Sequence, residues 1–129
     1  METKTINPWK WQEGRNYSQA VEVSNVSGTL YCSGQTAINE DGVSSNADMK
    51  TQLKAAINNL ERLIVQAGYE CSNIVRLNVY HTNTHDFFEA FPVLQDWILM
   101  NNIRQATTVM EVKTLFETLT VELEATVVR

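Results

Sequence analysis

The sequence of 129 residues predicts a single α+β domain in which two helices pack on one face of a mixed, mostly antiparallel sheet. Apolar residues recur at helical spacing in two stretches, and they alternate with polar residues in five others, as along half-buried strands. Taken in order, these stretches are strand, strand, helix, strand, helix, strand and strand. The chain has only five Gly and two Pro, with no repeat or linker-like stretch. We therefore interpret residues 1–129 as one domain.

The first two predicted strands are Tyr17–Ser24 and Thr29–Ser33, and the turn between them ends at Gly28. Strands that are so close in sequence commonly pair with each other, so we expect a hairpin. The remaining predicted strands are Ile74–His81, Ala106–Val112 and Leu119–Val128.

The first helix is predicted over Asp48–Ala67, where apolar residues recur every three or four positions and form one stripe. Either Asp48 or Asn46 can cap its start, and Gly68 supplies the left-handed conformation that ends many helices. The residues of the stripe are Met49, Leu53, Ile57, Leu60 and Ile64.

The second helix is predicted to start at Thr84 and to bury one apolar face. Pro92 lies inside it, and a proline removes one helical hydrogen bond and crowds the preceding turn. We therefore expect a break near Pro92, with the main helix on its C-terminal side. The residues of the buried face are Phe87, Phe91, Leu94 and Ile98.

Two helices cover only one face of such a sheet, and the other face is predicted to be largely polar. It carries Arg76, Asn78, Tyr80, Glu122 and Glu124, and we expect Arg76 to pair with one of the two glutamates across strands. Glu122 and Glu124 are two apart on one strand, a spacing that allows paired carboxylates to act in acid–base chemistry. The mixture fits either a contact with another subunit or an ordinary solvated face.

Composition argues against several classes of partner. The formal charge of −5 and pI near 4.9, without any basic run, disfavour nucleic acid as a partner. No apolar stretch approaches the ~20 residues of a membrane span, and the polar start, Met1 to Trp9, is not that of a signal peptide. Cys32 and Cys71 have neither metal-ligand nor disulfide-framework spacing. We therefore expect a soluble, cytoplasmic protein that does not bind a membrane.

Other chemical motifs are weak. His81 and His85 are four apart, but they straddle a strand end and a helix start, so we do not expect a metal site. Cys32 has no evident histidine to activate it. Gly34 ends a strand with exposed backbone groups that suit a ligand carbonyl or carboxylate. No phosphate-binding or dinucleotide fingerprint is present, which leaves nucleotide cofactors unsupported.

Five segments, in the right order and spread over most of the chain, resemble those of the RidA/YjgF family, also called L-PSP or reactive-intermediate deaminases. The segments are Tyr17–Val21, Cys32–Gln35, Asp48–Leu60 leading into Ala67-Gly68, Val75–Tyr80 and Val121–Ala125. The resemblance implies a chorismate-mutase-like fold and a homotrimer with three small-molecule clefts between adjacent subunits. It also implies that active members hydrolyse enamines or imines to 2-keto acids and ammonia, without a metal or organic cofactor.

The resemblance further implies roles for four residues of this chain. Glu122 matches the catalytic glutamate that orients the attacking water. Tyr17 matches the tyrosine that closes the cleft, and Ser33 and Gly34 match the Ser-Gly pair whose backbone contacts the substrate.

Two positions depart from the family's pattern, and the chain therefore resembles an arginine-lacking branch. The arginine that grips the substrate carboxylate falls on Thr107, and a helix asparagine falls on Phe91. A charge-assisted contact contributes ~1.5–3 kcal/mol, so its loss should weaken carboxylate binding by one to two decades. Arg104 lies at an odd offset from Thr107 and is expected to point to the opposite face of the strand. Arg76 faces the right side of the sheet but is expected to be paired.

Three functions remain open. The first is hydrolysis of an imine or related reactive intermediate in a cleft containing Glu122. The second is a trimer that binds or senses a small metabolite without catalysis, which the threonine at 107 favours. The third, endoribonuclease activity, comes with an older family name and is disfavoured by the −5 charge.

Overall fold

A computed structural model describes residues 1–129 and confirms the mixed α+β class, with two helices packed against one sheet. The strands are β1 (Glu2–Ile6), β2 (Ala20–Ser24), β3 (Thr29–Tyr31), β4 (Ile74–His81), β5 (Ala106–Glu111) and β6 (Val121–Val128). The helices are α1 (Met49–Gln66) and α2 (Thr84–Met100), and two short 3-10 turns occupy Glu13–Arg15 and Cys71–Asn73.

The main sheet has the strand order β3-β6-β4-β5, and only the β4–β5 pair is parallel. The expected hairpin is wrong, because β2 pairs with β1 in a separate two-stranded sheet and β3 pairs with β6. The turn before β3 binds the other end of the chain instead: the N–H groups of Ser27 and Gly28 donate to the Arg129 carbonyl at 2.6 and 3.0 Å. β1 itself was not predicted, since its residues are mostly polar and exposed.

Helix α1 confirms the prediction, and the structure identifies its cap. The Asp48 carboxylate accepts from the backbone N–H of Thr51 at 2.9 Å, which satisfies a donor that has no partner within the helix. Gly68 follows the helix with φ of +80°, a conformation that favours glycine.

Helix α2 is continuous through Pro92, so the expected break is wrong. The same helix face is buried on both sides of the proline, by Phe87 before it and by Leu94 and Ile98 after it. Pro92 itself is exposed. Packing of this face on the sheet therefore holds the helix together despite the missing hydrogen bond.

The hydrophobic core lies between the helices and one face of the main sheet. Leu53 and Leu60 of α1 and Leu77 and Leu123 of the sheet are all 0% exposed. The opposite face of the sheet has no helix over it and is called the open face below. No helix of the protein is both long enough and apolar enough to cross a lipid bilayer.

Replacing Leu60 with Ala should lower the free energy of unfolding by about 2–5 kcal/mol, because the side chain is fully buried and its loss leaves a cavity. Leu99 on α2 is 62% exposed, so Leu99→Ala serves as the matched control and should change stability by no more than about 0.5 kcal/mol. Urea unfolding followed by circular dichroism measures both. Equal effects of the two changes would contradict the described packing.

Candidate functional site

A cavity of about 690 Å³ lies between α2, β5 and the segment that precedes β2. Tyr17, Phe91 and Thr107, three of the residues to which the sequence assigns ligand contacts, line it together. Five of its ten lining residues are hydrophobic, and the others are polar or charged. Its size and mixed lining are those of a site for a small ligand.

Hydrogen bonds hold the segment around Tyr17 against the rest of the domain. Asn16 has a left-handed backbone, with φ of 59° and ψ of 48°, which asparagine adopts more readily than most residues. Its carbonyl accepts from Gln105 Nε2 at 3.1 Å, and its Oδ1 accepts from Gln95 Nε2 at 3.0 Å. The Ser18 N–H donates to the Gln105 carbonyl at 2.8 Å. The position of Tyr17 is therefore fixed by both α2 and the start of β5.

The wall formed by β5 and α2 is uncharged. Thr107 is in register with Leu77, a fully buried residue of β4, and so faces the helices. Its hydroxyl donates to the Leu77 carbonyl, which leaves the oxygen free to accept a hydrogen bond from a ligand but not to donate one. The Phe91 ring lies 5.7 Å from that of Phe87 and 6.5 Å from that of Phe88, between centroids.

Glu122 lies on the opposite side of the sheet from this cavity. Its neighbours Val121 and Leu123 are 0% exposed and face the helices, so the alternation of β6 directs Glu122 to the open face. On β4 it is in register with Tyr80, which is also on that face. Within one chain, the cavity and Glu122 therefore cannot contact the same small ligand.

Ser33 and Gly34 lie beside Glu122 rather than beside the cavity. A Cβ at Gly34 would be 2.6 Å from the carboxyl carbon of Glu122, so only glycine allows this close approach. The register between this segment and β6 shifts by one residue. Tyr31 at the end of β3 pairs with Thr126, whereas Gln35 pairs with Leu123. As a result, the N–H groups of Ser33 and Gly34 donate to no backbone carbonyl. Two free donors therefore lie next to a carboxylate.

The two glutamates of the open face have opposite pKa shifts. Burial, together with the nearby negative charge of Glu124, raises the pKa of Glu122. Glu124 accepts hydrogen bonds from Asn78 Nδ2 at 3.0 Å and from the Tyr80 hydroxyl at 2.9 Å, and these bonds lower the pKa of Glu124. The hydrogen bond to Glu124 in turn raises the pKa of Tyr80. Glu122 is thus the better proton acceptor of the pair, and Glu124 stays ionised.

Two arginines considered from the sequence lie outside the cavity. Arg76 donates to the Thr108 hydroxyl at 3.4 Å and forms no salt bridge with Glu122 or Glu124, so the expected ion pair is wrong. The reason is the register of β6, which places Thr126 opposite Arg76. Arg104 lines a separate groove beside β1 and β2.

Arg15 is a cavity residue that the sequence reasoning missed. It ends the first 3-10 turn, two residues before Tyr17, and lines the same cavity. Its guanidinium carbon lies 5.2 Å from the centre of the Trp11 ring, a cation–π contact. The only signal in the sequence was its nearness to Tyr17, because a residue in a short irregular segment has no periodic pattern.

The two histidines have different environments. His81 is buried and stacks on the Phe87 ring at 4.7 Å between centroids, and burial lowers the pKa of His81. His85 is exposed and lies 3.1 Å from a carboxylate oxygen of Glu89. They therefore do not form a site together.

Comparisons with known proteins agree with this fold. The family model described as endoribonuclease L-PSP matches residues 12–129. A RutC family protein of Aquifex aeolicus (strain VF5) is 31% identical over 113 residues, which are 88% of each chain. A Dermatophagoides farinae protein named 2-iminobutanoate/2-iminopropanoate deaminase is 31% identical over 72 residues, which cover 55% of this chain and 54% of that one.

Among solved structures, a protein of unknown function from Yersinia pestis, YyfB of the conserved Rid family, matches with a TM-score of 0.88. The match covers 100% of both chains at 26% identity. The chain therefore belongs to the endoribonuclease L-PSP family, which is the RidA/YjgF family that its sequence resembles.

Glu122→Gln and Glu124→Gln should change stability in opposite directions. A raised pKa means that the charged form of Glu122 destabilises the fold, so Glu122→Gln should be more stable than wild type at pH 7. That gain should vanish as the pH falls below the ordinary glutamate pKa of about 4.3. Glu124→Gln should be less stable at pH 7, because it removes a hydrogen-bonded carboxylate, and its deficit should also shrink at low pH. Urea unfolding from pH 3 to 8 measures both, and shifts of the same sign would contradict the described electrostatics.

Proposed function

We propose that the protein is a chorismate-mutase-like homotrimer that binds a small metabolite in clefts between adjacent subunits and hydrolyses an imine or enamine there. The observation that carries this proposal is the division of the site. Tyr17, Phe91 and Thr107 line a cavity on the helix side of the sheet, whereas Glu122 and Gly34 lie on the open face. Each group is half of a site, and a neighbouring subunit is the simplest source of the other half.

The exposed surfaces are suited to such an assembly. β5 is an edge strand of the main sheet, and its residues from Thr108 to Glu111 are exposed. The open face carries Tyr31 at 80% exposure beside the half-buried Asn78 and Tyr80. Contact between the cavity edge of one subunit and the open face of the next is heterologous, and a rotation of one third of a turn closes it into a ring of three.

The residues of the combined cleft are able to catalyse imine hydrolysis. The Glu122 carboxylate takes a proton from water while the water oxygen forms a bond to the imine carbon, and the C=N π electrons move to nitrogen. Protonated Glu122 returns this proton to the nitrogen, which gives a carbinolamine. Glu122 then moves the hydroxyl proton to the nitrogen, the O–H electrons form the C=O bond, and the C–N bond breaks to release a carbonyl product and ammonia. The free N–H groups of Ser33 and Gly34 are positioned to hold a substrate oxygen, and Tyr17 covers the cavity side. The relative named 2-iminobutanoate/2-iminopropanoate deaminase supports this reaction type.

A second candidate function is ligand binding without turnover, and Thr107 favours it. Typical active members of the family place a carboxylate-binding arginine at this position, as the sequence resemblance implies. Here the threonine hydroxyl is used by the Leu77 carbonyl. A trimer that binds a metabolite and leaves it unchanged fits this substitution.

We place the trimer in the cytoplasm. Both cysteines are free and buried, as is usual for a protein of a reducing compartment. Burial raises the pKa of Cys71 to about 11 and also raises that of Cys32, so both thiols stay protonated and unreactive.

The proposed assembly predicts a particle of three times the 14.6 kDa of the chain. Sedimentation equilibrium over a range of protein concentrations measures this mass directly. A monomer or dimer at micromolar concentration would rule out the proposed clefts.

Hydrolysis of 2-iminobutanoate tests the reaction. An amino-acid oxidase generates the imine in the presence of semicarbazide, which traps the fraction that is not hydrolysed enzymatically. Wild type should suppress trapping, and Glu122→Gln should reduce the rate by at least about 100-fold, because the general base is removed. Glu22→Gln on β2 removes the same charge outside both half-sites and serves as the control.

Thr107→Arg, assayed alongside, separates the two candidate functions. If wild type is active, the arginine is dispensable in this chain. If only Thr107→Arg is active, the cleft is competent but wild type is a binding protein. If Glu22→Gln loses as much activity as Glu122→Gln, that result contradicts the assigned role of Glu122.

A further inference from the structure

Arg15 is the only charged residue among those that line the cavity. It forms no salt bridge within the chain, in which the ion pairs are Arg62–Glu40 and His85–Glu89. The protein as a whole carries a charge of −5, so an unpaired guanidinium beside a cavity is a local departure from its acidic character. Such a group attracts a planar anion, which it can bind with two parallel hydrogen bonds.

Two polar atoms of cavity-lining residues lack hydrogen-bond partners in the chain. They are Gln19 Nε2, a donor, and Gln105 Oε1, an acceptor. Gln105 is 1% exposed, and its orientation is fixed because its Nε2 donates to the Asn16 carbonyl at 3.1 Å. A buried polar atom without a partner is costly, so the Gln19 donor favours a ligand that carries an acceptor group.

The remaining wall of the cavity is apolar and aromatic. Phe88, Phe91 and Leu94 of α2 face Val109 of β5 across it. Phe88 is 65% exposed, although its ring packs edge-on to that of Phe91 at 6.5 Å. A ligand that covers these rings buries more apolar surface, and so gains more free energy, than one with a substituent of one or two carbons.

We propose that the cavity binds small monocarboxylates with a bulky apolar or aromatic substituent, and that Arg15 is the residue that binds the carboxylate. Arg15 lies in the segment before β2. It thereby provides the positive charge that is missing at Thr107 on β5. Gln19 donates a second hydrogen bond to the carboxylate. This inference rests on the proposed function only in taking the cavity as the ligand-binding half-site.

Calorimetric titration with 3-phenylpropanoate, 3-phenylpropanamide and propanoate tests the inference. Wild type should bind 3-phenylpropanoate at least about tenfold more tightly than the uncharged amide and than propanoate. Arg15→Ala should remove the preference for the carboxylate over the amide while leaving amide binding unchanged, which also shows that the cavity is intact. Arg15→Lys should restore part of the preference, because it returns the charge without the planar fork.

Arg104→Ala is the matched control, since it removes an arginine from a different groove and should leave all three affinities unchanged. The role of Arg15 is overturned if Arg15→Ala binds both phenyl compounds as wild type does. The ligand class is overturned if wild type binds propanoate as tightly as 3-phenylpropanoate, or binds none of the three. Arg15→Ala could lose the preference for the carboxylate while Glu122→Gln hydrolyses 2-iminobutanoate as fast as wild type. That result would support the carboxylate site and overturn the proposed catalysis.

Discussion

The alternation of side chains along β6 is the constraint on which both the core and the candidate site depend. Val121, Leu123 and Ala125 are at most 2% exposed and pack beneath the helices, while Glu122 and Glu124 lie between them on the open face. A shift of one residue in the pairing with β4 would exchange the two sets. Two carboxylates would then be buried without partners, at a cost of several kcal/mol each. The packing that stabilises the domain therefore also fixes Glu122 on a face that no helix covers.

This constraint explains why the candidate site is divided. The cavity forms where α2 and the segment around Tyr17 meet β5, on the helix side, whereas the carboxylate and the free N–H groups of Ser33 and Gly34 are on the other side. Desolvation and the neighbouring Glu124 already raise the pKa of Glu122 in the single chain. A subunit that covers the open face would remove more water from Glu122 and shift its pKa further in the same direction.

Periodic features of the molecule were predictable from sequence, and features set by distant partners were not. The helical stripe predicted α1 closely, because burial of one face dictates a spacing that is visible in the residues. The strand before Gly28 was assigned the wrong partner. The turn that ends at Gly28 binds the C-terminal residue Arg129 and does not fold β2 back onto β3. Helix α2 continues through Pro92 because apolar residues on both sides of the proline pack into the core. Family resemblance indicated Tyr17, Thr107 and Glu122 as candidate site residues. Arg15 had no periodic or family signal, and only the folded structure shows that it lies beside the same cavity as Tyr17.

Subunit mixing tests the division of the site most directly. Tyr17→Ala damages the cavity half and Glu122→Gln the open-face half, so each variant alone should be nearly inactive on 2-iminobutanoate. When equal amounts are unfolded together and refolded, random trimers place an intact cavity against an intact Glu122 at about one quarter of the clefts. The refolded mixture should therefore recover about a quarter of the wild-type rate. A mixture no more active than its parents, from an active wild type, would contradict the claim that neighbouring subunits share one cleft.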